Sequence, residues 1–186
     1  VGMAALQVAL AAGATVYGTA GSDAKRALAR SLDAHLVSDS RSLAFVDEVR
    51  AATGGEGVDV VLNSLAGDFI AAGLALLRPQ GRFVEIGKRD LIADTPVGLA
   101  PFLRNLTFSA FDLGQLVDLG GPRFPSMLDG LMDRFARGEL APLPTEIFPF
   151  ERVADGFRRM ARAEHVGKIV FEVQEDRSPA GAVARA

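Results

Sequence analysis

The stretch Val1-Gly2-Met3-Ala4-Ala5-Leu6-Gln7-Val8-Ala9 is followed by Gly13-Ala14-Thr15-Val16-Tyr17-Gly18-Thr19-Ala20. The first run predicts a helix of small residues entered from a glycine, and the second predicts a strand. This order is typical of the back half of a Rossmann unit, in which the last glycine of a G-x-G-x-x-G fingerprint lets a helix N-terminus approach a pyrophosphate. The first strand and the first two glycines are not in the sequence, so we expect a fragment that begins within the unit.

The composition excludes several classes of protein. The chain has 186 residues, of which 49% are hydrophobic and 23% charged, and its net charge of -3 provides no broad basic surface for nucleic acid. No apolar run is long enough to predict a membrane span. Cysteine is absent, which excludes disulfides and Cys-based zinc sites within these residues. We therefore predict no metal site and a cytoplasmic location.

Segments typical of strands and helices alternate along the first part of the chain, which predicts a parallel sheet covered by helices. The predicted strands lie at 14–19, 35–37, 58–62, 82–86 and 106–111, and the predicted helices at 22–32, 42–52 and about 69–77. Residues 58–62 are apolar enough to predict a strand buried on both faces. The expected fold is α/β, a Rossmann-type doubly wound parallel sheet that lacks its first strand.

Ligands of such sheets bind outside the carboxyl ends of the strands. The residues at these predicted ends are Thr19, Asn63, Gly87 with Lys88, and Asp112. They are the first candidates for a functional site.

The second half differs in character, since a breaker at Gly120-Gly121-Pro122 precedes two further helices and a strand. One helix is predicted to carry an apolar face formed by Met127, Leu128, Leu131, Met132 and Phe135. The other is predicted to turn Val153, Phe157 and Met160 inward, before a strand at 168–173. We predict a nucleotide-binding part at 1–122, a separate segment at 123–173 and an interdomain linker at 174–186.

The end of the strand near Thr19 favours NADP over NAD. NAD-preferring domains place an acid there, which repels a 2′-phosphate, whereas this stretch is Thr19-Ala20-Gly21-Ser22. Ser22 can donate a hydrogen bond, and Lys25 with Arg26 or Arg41 can supply positive charge. Asp23 is an acid close to this strand end and argues against NADP, although one residue into the helix it suits the N-terminal dipole.

These segments resemble the enoyl reductase domain of modular polyketide synthases, within the medium-chain dehydrogenase/reductase superfamily. The resemblance extends over about residues 1 to 173, and its most specific parts are Asn63-Ser64-Leu65-Ala66-Gly67 and Gly87-Lys88. It implies NADPH-dependent reduction of a trans-2-enoyl thioester carried by the phosphopantetheine arm of an acyl carrier protein. The implied cofactor-binding residues are Gly2, Met3, Thr19, Ser22, Lys25, Arg41, Asn63, Ser64, Leu65 and Gly87.

The resemblance also implies that Lys88 and Asp112 serve proton delivery. Simpler roles remain open for each candidate. Lys88 can be a solvated lysine after a strand, Asp112 and Asn63 can be turn residues, and Ser22 can combine a helix cap with a phosphate contact. His35 and His165 form no constellation with a second histidine or with carboxylates in the sequence and are interpreted as ordinary polar residues.

Three further expectations follow from the superfamily. Residues 123–173 are expected to return toward a substrate domain, and other domains of the same synthase are expected partners. The absent first strand would leave open edges between the strands starting near residues 14 and 58. The last strand, near 106–111, is a candidate homodimer contact. Two alternatives to the enoyl reductase stay open, a free-standing NADPH quinone oxidoreductase and a non-catalytic NADPH-binding module.

Overall fold

The computed structural model describes residues 1–173, and the predicted linker at 174–186 lies outside the described residues. The described chain forms two compact units, one made mainly of residues 4–140 and the other mainly of residues 141–173. The predicted division between 1–122 and 123–173 stays a prediction. Each unit is described separately below.

Helices and strands alternate through most of the larger unit, as expected for an α/β fold. In chain order they are α1 (Gly2–Ala11), β1 (Tyr17–Ala20), α2 (Asp23–Ser31), β2 (Leu36–Asp39), α3 (Phe45–Ala52), β3 (Val58–Asn63), α4 (Asp68–Leu76), β4 (Leu77–Glu85), α5 (Arg89–Ile92), a 3-10 helix (Ala100–Arg104), β5 (Thr107–Ala110), α6 (Leu113–Asp118) and α7 (Arg123–Ala136). Every predicted strand is confirmed, with ends that differ by a few residues.

The strands of this unit form two parallel sheets. β1 pairs with β2, and β3, β4 and β5 pair in that order. Within residues 1–173 no strand is hydrogen-bonded between β1 and β3. The α/β fold with parallel sheets, consistent with a Rossmann-type nucleotide-binding domain, is therefore confirmed.

The main core of this unit is built on β4. Phe83 is fully buried and packs with Ile70, Leu74, Leu77 and Leu106. Its ring also stacks on Phe108 with centroids 5.2 Å apart. Burying such large apolar side chains is the main stabilising contribution here, and it holds α4 against the β3–β4–β5 sheet.

Residues 78–81 lie between the predicted helix at about 69–77 and the predicted strand at 82–86, but in the structure they belong to β4. β4 begins directly after α4 at Leu77, which pairs with Val58, while the next pair is Val60 with Arg82. The intervening residues bulge out, and Gln80 takes a positive φ of 65°. The bulge lets one short strand segment pair before the turn and the remainder after it.

The smaller unit contains β6 (Thr145–Pro149), a 3-10 turn (Phe150–Arg152), α8 (Val153–Ala161) and β7 (Lys168–Glu172). β6 and β7 pair in parallel, with Phe148 opposite Phe171. Gly156 of α8 lies over the Phe171 ring so closely that an added Cβ would be 2.5 Å from it. The helix therefore packs on the sheet at its glycine.

Several side chains expected to be buried are exposed. In β3, Val60 and Leu62 are 47% and 48% exposed, because the sheet edge and face beside them are open. Phe157 and Met160 of α8 are also exposed, since that helix packs at Gly156 instead. Leu43, in the predicted helix at 42–52, is exposed because α3 starts only at Phe45. Ala24, in the predicted helix at 22–32, is also exposed, whereas Ala29 and Leu32 pack on the core.

α7 carries the predicted apolar face, but none of its residues is buried. Its five apolar side chains are between 39% and 58% exposed. None of the helices formed by residues 1–173 has the length and apolar character needed to cross a membrane. The exposed face of α7 is thus a surface feature of the described chain.

The start of β3 depends on a glycine. Gly57 has a φ of 85°, and a Cβ there would lie 2.1 Å from the backbone oxygen of Leu76. Gly54 also has a positive φ, of 62°, but open space surrounds it. We expect Gly57→Ala to lower the free energy of unfolding by about 3 kcal/mol or more, and Gly54→Ala by about 1 kcal/mol, since only the first adds a backbone clash. Urea unfolding of both variants measures the difference, and equal losses would contradict the clash.

Candidate functional site

The carboxyl ends of β3, β4 and β5 meet at one edge of their sheet. Asn63 lies opposite Glu85, and Glu85 lies opposite Ala110. The segments that follow, at 64–67, 86–88 and 111–112, leave the sheet side by side. This register explains why candidates that are far apart in sequence come together.

Lys88 and Asp112 form an ion pair at this edge. The Lys88 Nζ lies 2.8 Å from Asp112 Oδ2, and the two side chains are 59% and 31% exposed. The prediction placed each residue at a strand end, and the parallel register brings the two ends within contact. The pair stays accessible to a ligand.

Asp112 also caps α6, as the simpler interpretation proposed. Its Oδ1 accepts a hydrogen bond of 2.9 Å from the backbone N–H of Gly114. The hydrogen bond from Lys88, followed by that from Gly114, holds the pKa of Asp112 below its ordinary value. Asp112 therefore combines a structural role with that of an ionised partner for Lys88.

Glu85 is a buried acid that the sequence analysis missed. Only 2% of the residue is exposed, although it stands in the strand Phe83-Val84-Glu85. One carboxylate oxygen accepts from the Asn63 side-chain amide and the other from the backbone N–H of Gly87. A charged residue at the end of an apolar strand, two residues before a glycine, was the available signal.

The loop after β3 is organised by Asn63. The Asn63 amide nitrogen donates to the backbone oxygen of Leu65 at 2.6 Å, and its oxygen accepts from the Leu65 N–H at 3.2 Å. Asp90 accepts from the N–H of Gly67 at 3.0 Å. Ser64 lies next to Gly87, where an added Cβ would be 3.2 Å from the Ser64 backbone oxygen. The four candidates Asn63, Ser64, Leu65 and Gly87 are therefore brought together.

A second group of candidates lies at the end of β1. Ser22 is the N-cap of α2, and its hydroxyl accepts from the Lys25 N–H at 3.4 Å. Gly21 lies under the Arg41 side chain, since a Cβ at Gly21 would be 3.4 Å from Arg41 Nε and from Ser40 Oγ. Hydroxyl, ammonium and guanidinium donors at one strand end are the chemistry that recognises a phosphate.

Two acids lie close to this group, and Arg26 interacts with both. Asp39 ends β2 opposite Ala20, which the sequence analysis did not consider. Arg26 contacts Asp23 at 2.6 Å and Asp39 at 3.5 Å, and it donates to the backbone oxygen of Ala20 at 2.8 Å. Of the two arginines considered from the sequence, Arg41 rather than Arg26 is therefore the one suited to an external anion.

The remaining candidates are placed by their elements. Gly2 and Met3 begin α1, Thr19 lies in β1 opposite Ser38, and Lys25 lies in the first turn of α2. The candidates thus form two clusters, in two sheets that share no strand. The β1 cluster consists of Thr19, Gly21, Ser22, Lys25 and Arg41, and the β3–β5 cluster consists of Asn63, Ser64, Leu65, Gly87, Lys88 and Asp112.

A nicotinamide dinucleotide fits the donors that are present. The Arg41 guanidinium, which lies over Gly21, can donate to a phosphate, and Gly87 keeps the edge of β4 free of a side chain. Among residues 1–173 no group of three or more His, Asp or Glu side chains is arranged so that it could hold a metal ion.

Comparison with known proteins agrees with this arrangement. A family model described as zinc-binding dehydrogenase matches residues 1–132. A phenolphthiocerol/phthiocerol polyketide synthase of Mycobacterium tuberculosis is 45% identical over 175 residues, which are 94% of this chain and 8% of that protein. The chain therefore spans a small part of this curated relative.

Two solved structures are similar in fold and sequence. The nucleotide-binding subdomain of the enoylreductase domain of PpsC from Mycobacterium tuberculosis has a TM-score of 0.71 and 46% identity, over 75% of this chain and 78% of that one. The CurK enoyl reductase has a TM-score of 0.78 and 36% identity, over 92% of this chain and 51% of that one. The predicted resemblance to polyketide synthase enoyl reductases is confirmed, and the chain belongs to the zinc-binding dehydrogenase family, an oxidoreductase family of the medium-chain dehydrogenase/reductase superfamily.

Proposed function

We propose that this chain is the nucleotide-binding part of an enoyl reductase domain, which uses NADPH to reduce a trans-2-enoyl thioester during polyketide synthesis. The ion pair between Lys88 and Asp112 is the observation that carries the proposal. Proton delivery to a substrate needs an accessible proton donor next to the cofactor-binding edge of the sheet. The pair lies at that edge and is partly exposed.

The proton in this pair belongs to Lys88. Asp112 is held ionised by its hydrogen bonds, so its carboxylate accepts and the Lys88 ammonium donates. When bound, NADPH supplies the hydride that adds to the β-carbon of the thioester. The electron pair of the C=C bond then moves toward the thioester oxygen, and the α-carbon takes a proton from Lys88. Asp112 orients the ammonium and stabilises its charge.

The preference for NADPH rests on the β1 cluster. Arg41, Ser22 and Lys25 supply donors for a 2′-phosphate, while Arg26 interacts with the nearby Asp23 and Asp39. An acid free to accept from the ribose hydroxyls would favour NAD instead. The charge balance of this cluster therefore supports NADPH.

The partners follow from the same proposal. The substrate would arrive on the phosphopantetheine arm of an acyl carrier protein, and other domains of the same synthase would flank this one in the cytoplasm. We further propose that residues 123–173 contact the substrate domain, because the apolar face of α7 is exposed. A homodimer through β5 stays a prediction.

A free-standing quinone oxidoreductase of the same superfamily and a non-catalytic NADPH-binding module are the alternatives. A complete enoyl reductase domain that carries this chain distinguishes the three. We expect it to oxidise NADPH with a crotonyl-pantetheine thioester and to have little activity with a small quinone. Activity on the quinone alone would support the oxidoreductase, and tight NADPH binding without turnover would support the module.

Lys88→Ala provides the internal test of the same assay. We expect kcat with the thioester to fall by about 100-fold, as is typical when a general acid is removed, with little change in the dissociation constant for NADPH. A parallel loss of NADPH affinity would assign Lys88 to cofactor binding instead.

Arg41→Ala tests the cofactor preference. We expect the dissociation constant for NADPH to rise about tenfold or more, since a charge-assisted hydrogen bond to phosphate is lost, while that for NADH stays unchanged. Fluorescence titration with both nucleotides measures this. Arg123→Ala, at the start of α7, is the matched control. Equal weakening of both nucleotides by Arg41→Ala would contradict a 2′-phosphate contact.

Lys88→Met tests the electrostatics of the pair. We expect the pKa of Asp112 to rise toward its ordinary value, because its largest stabilising hydrogen bond is lost. The pKa of Asp112 is lower in the folded protein than in the unfolded chain. Ionised Asp112 therefore stabilises the fold at pH values above its pKa in the unfolded chain, and this contribution is lost as the pH falls through its pKa in the folded protein. NMR titration of the Asp112 carboxyl carbon measures the shift.

Arg137→Met is the matched control for that titration. Arg137 donates to Glu139 and is the main cause of the lowered pKa of Glu139. This variant should raise the pKa of Glu139 and leave that of Asp112 unchanged. An unchanged Asp112 pKa in Lys88→Met would mean that the pair does not form in solution.

A further inference from the structure

Glu85 lies between the 63–67 loop and the 86–88 turn, at the carboxyl edge of the β3–β4–β5 sheet. The residue is almost fully buried, and its two carboxylate oxygens accept from different segments, the Asn63 side chain and the Gly87 backbone N–H. Both donors are neutral amides. Burying a carboxylate costs stability unless each oxygen is hydrogen-bonded, so a purely structural position would be served better by an apolar residue.

The Asn63 amide cannot turn to accommodate a different partner. Its oxygen accepts from the Leu65 N–H and its nitrogen donates to the Leu65 oxygen, so a flip would place donor against donor. The partner of the remaining Asn63 N–H must therefore be an acceptor. Glu85 supplies that acceptor and a second one for Gly87.

We propose that Glu85 is a positioning residue that fixes the 63–67 loop and the 86–88 turn in the spacing required for nucleotide binding. The carboxylate acts through Asn63 and Gly87 and does not contact the nucleotide. The backbone N–H of Ile86, which donates to the backbone oxygen of Asn63 at 2.9 Å, continues the same connection. Lys88 is the last residue of this turn, so the position of the ion pair depends on Glu85 as well.

The inference rests on the proposed function only in assigning a nicotinamide nucleotide to this edge. Its test uses nucleotide binding without any thioester, so a failure of enoyl reduction does not affect it. Glu85→Gln in a complete enoyl reductase domain replaces one acceptor by an NH2 group, which must face either Asn63 or Gly87 donor to donor.

We expect Glu85→Gln to raise the dissociation constant for NADPH about tenfold, because a buried donor is left unsatisfied and the loop spacing changes. Amide hydrogen exchange should accelerate at Leu65 and Gly87 but not in the core around Phe83. Glu139→Gln, the same change at an exposed carboxylate, should alter neither. Faster exchange at Leu65 and Gly87 with unchanged NADPH affinity would overturn the proposal, as would unchanged exchange.

Gly87→Ala provides a second variant if Glu85→Gln does not fold. The added Cβ would lie 2.7 Å from Glu85 Oε1, so it displaces the carboxylate without removing its charge. We expect a similar loss of NADPH affinity from this change. Where Glu85→Gln does fold, the two losses should not add in the double variant, because both act on the same hydrogen bond. Full additivity, or an unchanged affinity in Gly87→Ala, would refute the role of Glu85.

Discussion

The parallel register of β3, β4 and β5 places three strand ends in one row, and the candidate site depends on it. Asn63, Glu85 and Ala110 are register partners, so the segments after them leave the sheet together. Lys88 is three residues beyond Glu85, the last residue of β4, and Asp112 is two residues beyond Ala110, the last residue of β5. A shift of one residue in either pairing would turn the side chains to the opposite face of the sheet and separate the pair.

That register is held by the core beneath it. Phe83 is buried two residues before the end of β4, where it packs with Ile70 and Leu74 of α4 and stacks on Phe108 of β5. Arg104 strengthens the same region by donating to the backbone oxygens of Leu74 and Leu77 at the end of α4. The apolar core therefore reaches along β4 to within two residues of Glu85, at the polar carboxyl edge outside which ligands of open α/β sheets bind.

The polar edge itself is connected by hydrogen bonds rather than by apolar packing. Glu85 links Asn63 to Gly87, and the turn after Gly87 leads to Lys88 and so to Asp112. The β1 cluster has a different organisation, in which Arg26 interacts with Asp23 and Asp39 and the Arg41 side chain lies over Gly21. One cluster thus suits orientation and proton transfer, and the other suits recognition of a phosphate.

The sequence by itself determined the alternation of strands and helices and the residues at the strand ends. These follow from local patterns, namely apolar runs, glycines and caps such as Ser22. Only the tertiary structure decided which candidates meet. The Lys88–Asp112 contact, the burial of Glu85 and the position of Asp39 beside Ala20 depend on register between distant strands.

Exposure was likewise decided by the tertiary structure. Val60, Leu62 and the apolar face of α7 are apolar in sequence but exposed, because burial depends on which neighbouring element covers a residue. A local pattern identifies which side chains can be buried. What covers them is a property of contacts between segments that are distant in sequence, and these contacts are formed only in the folded chain.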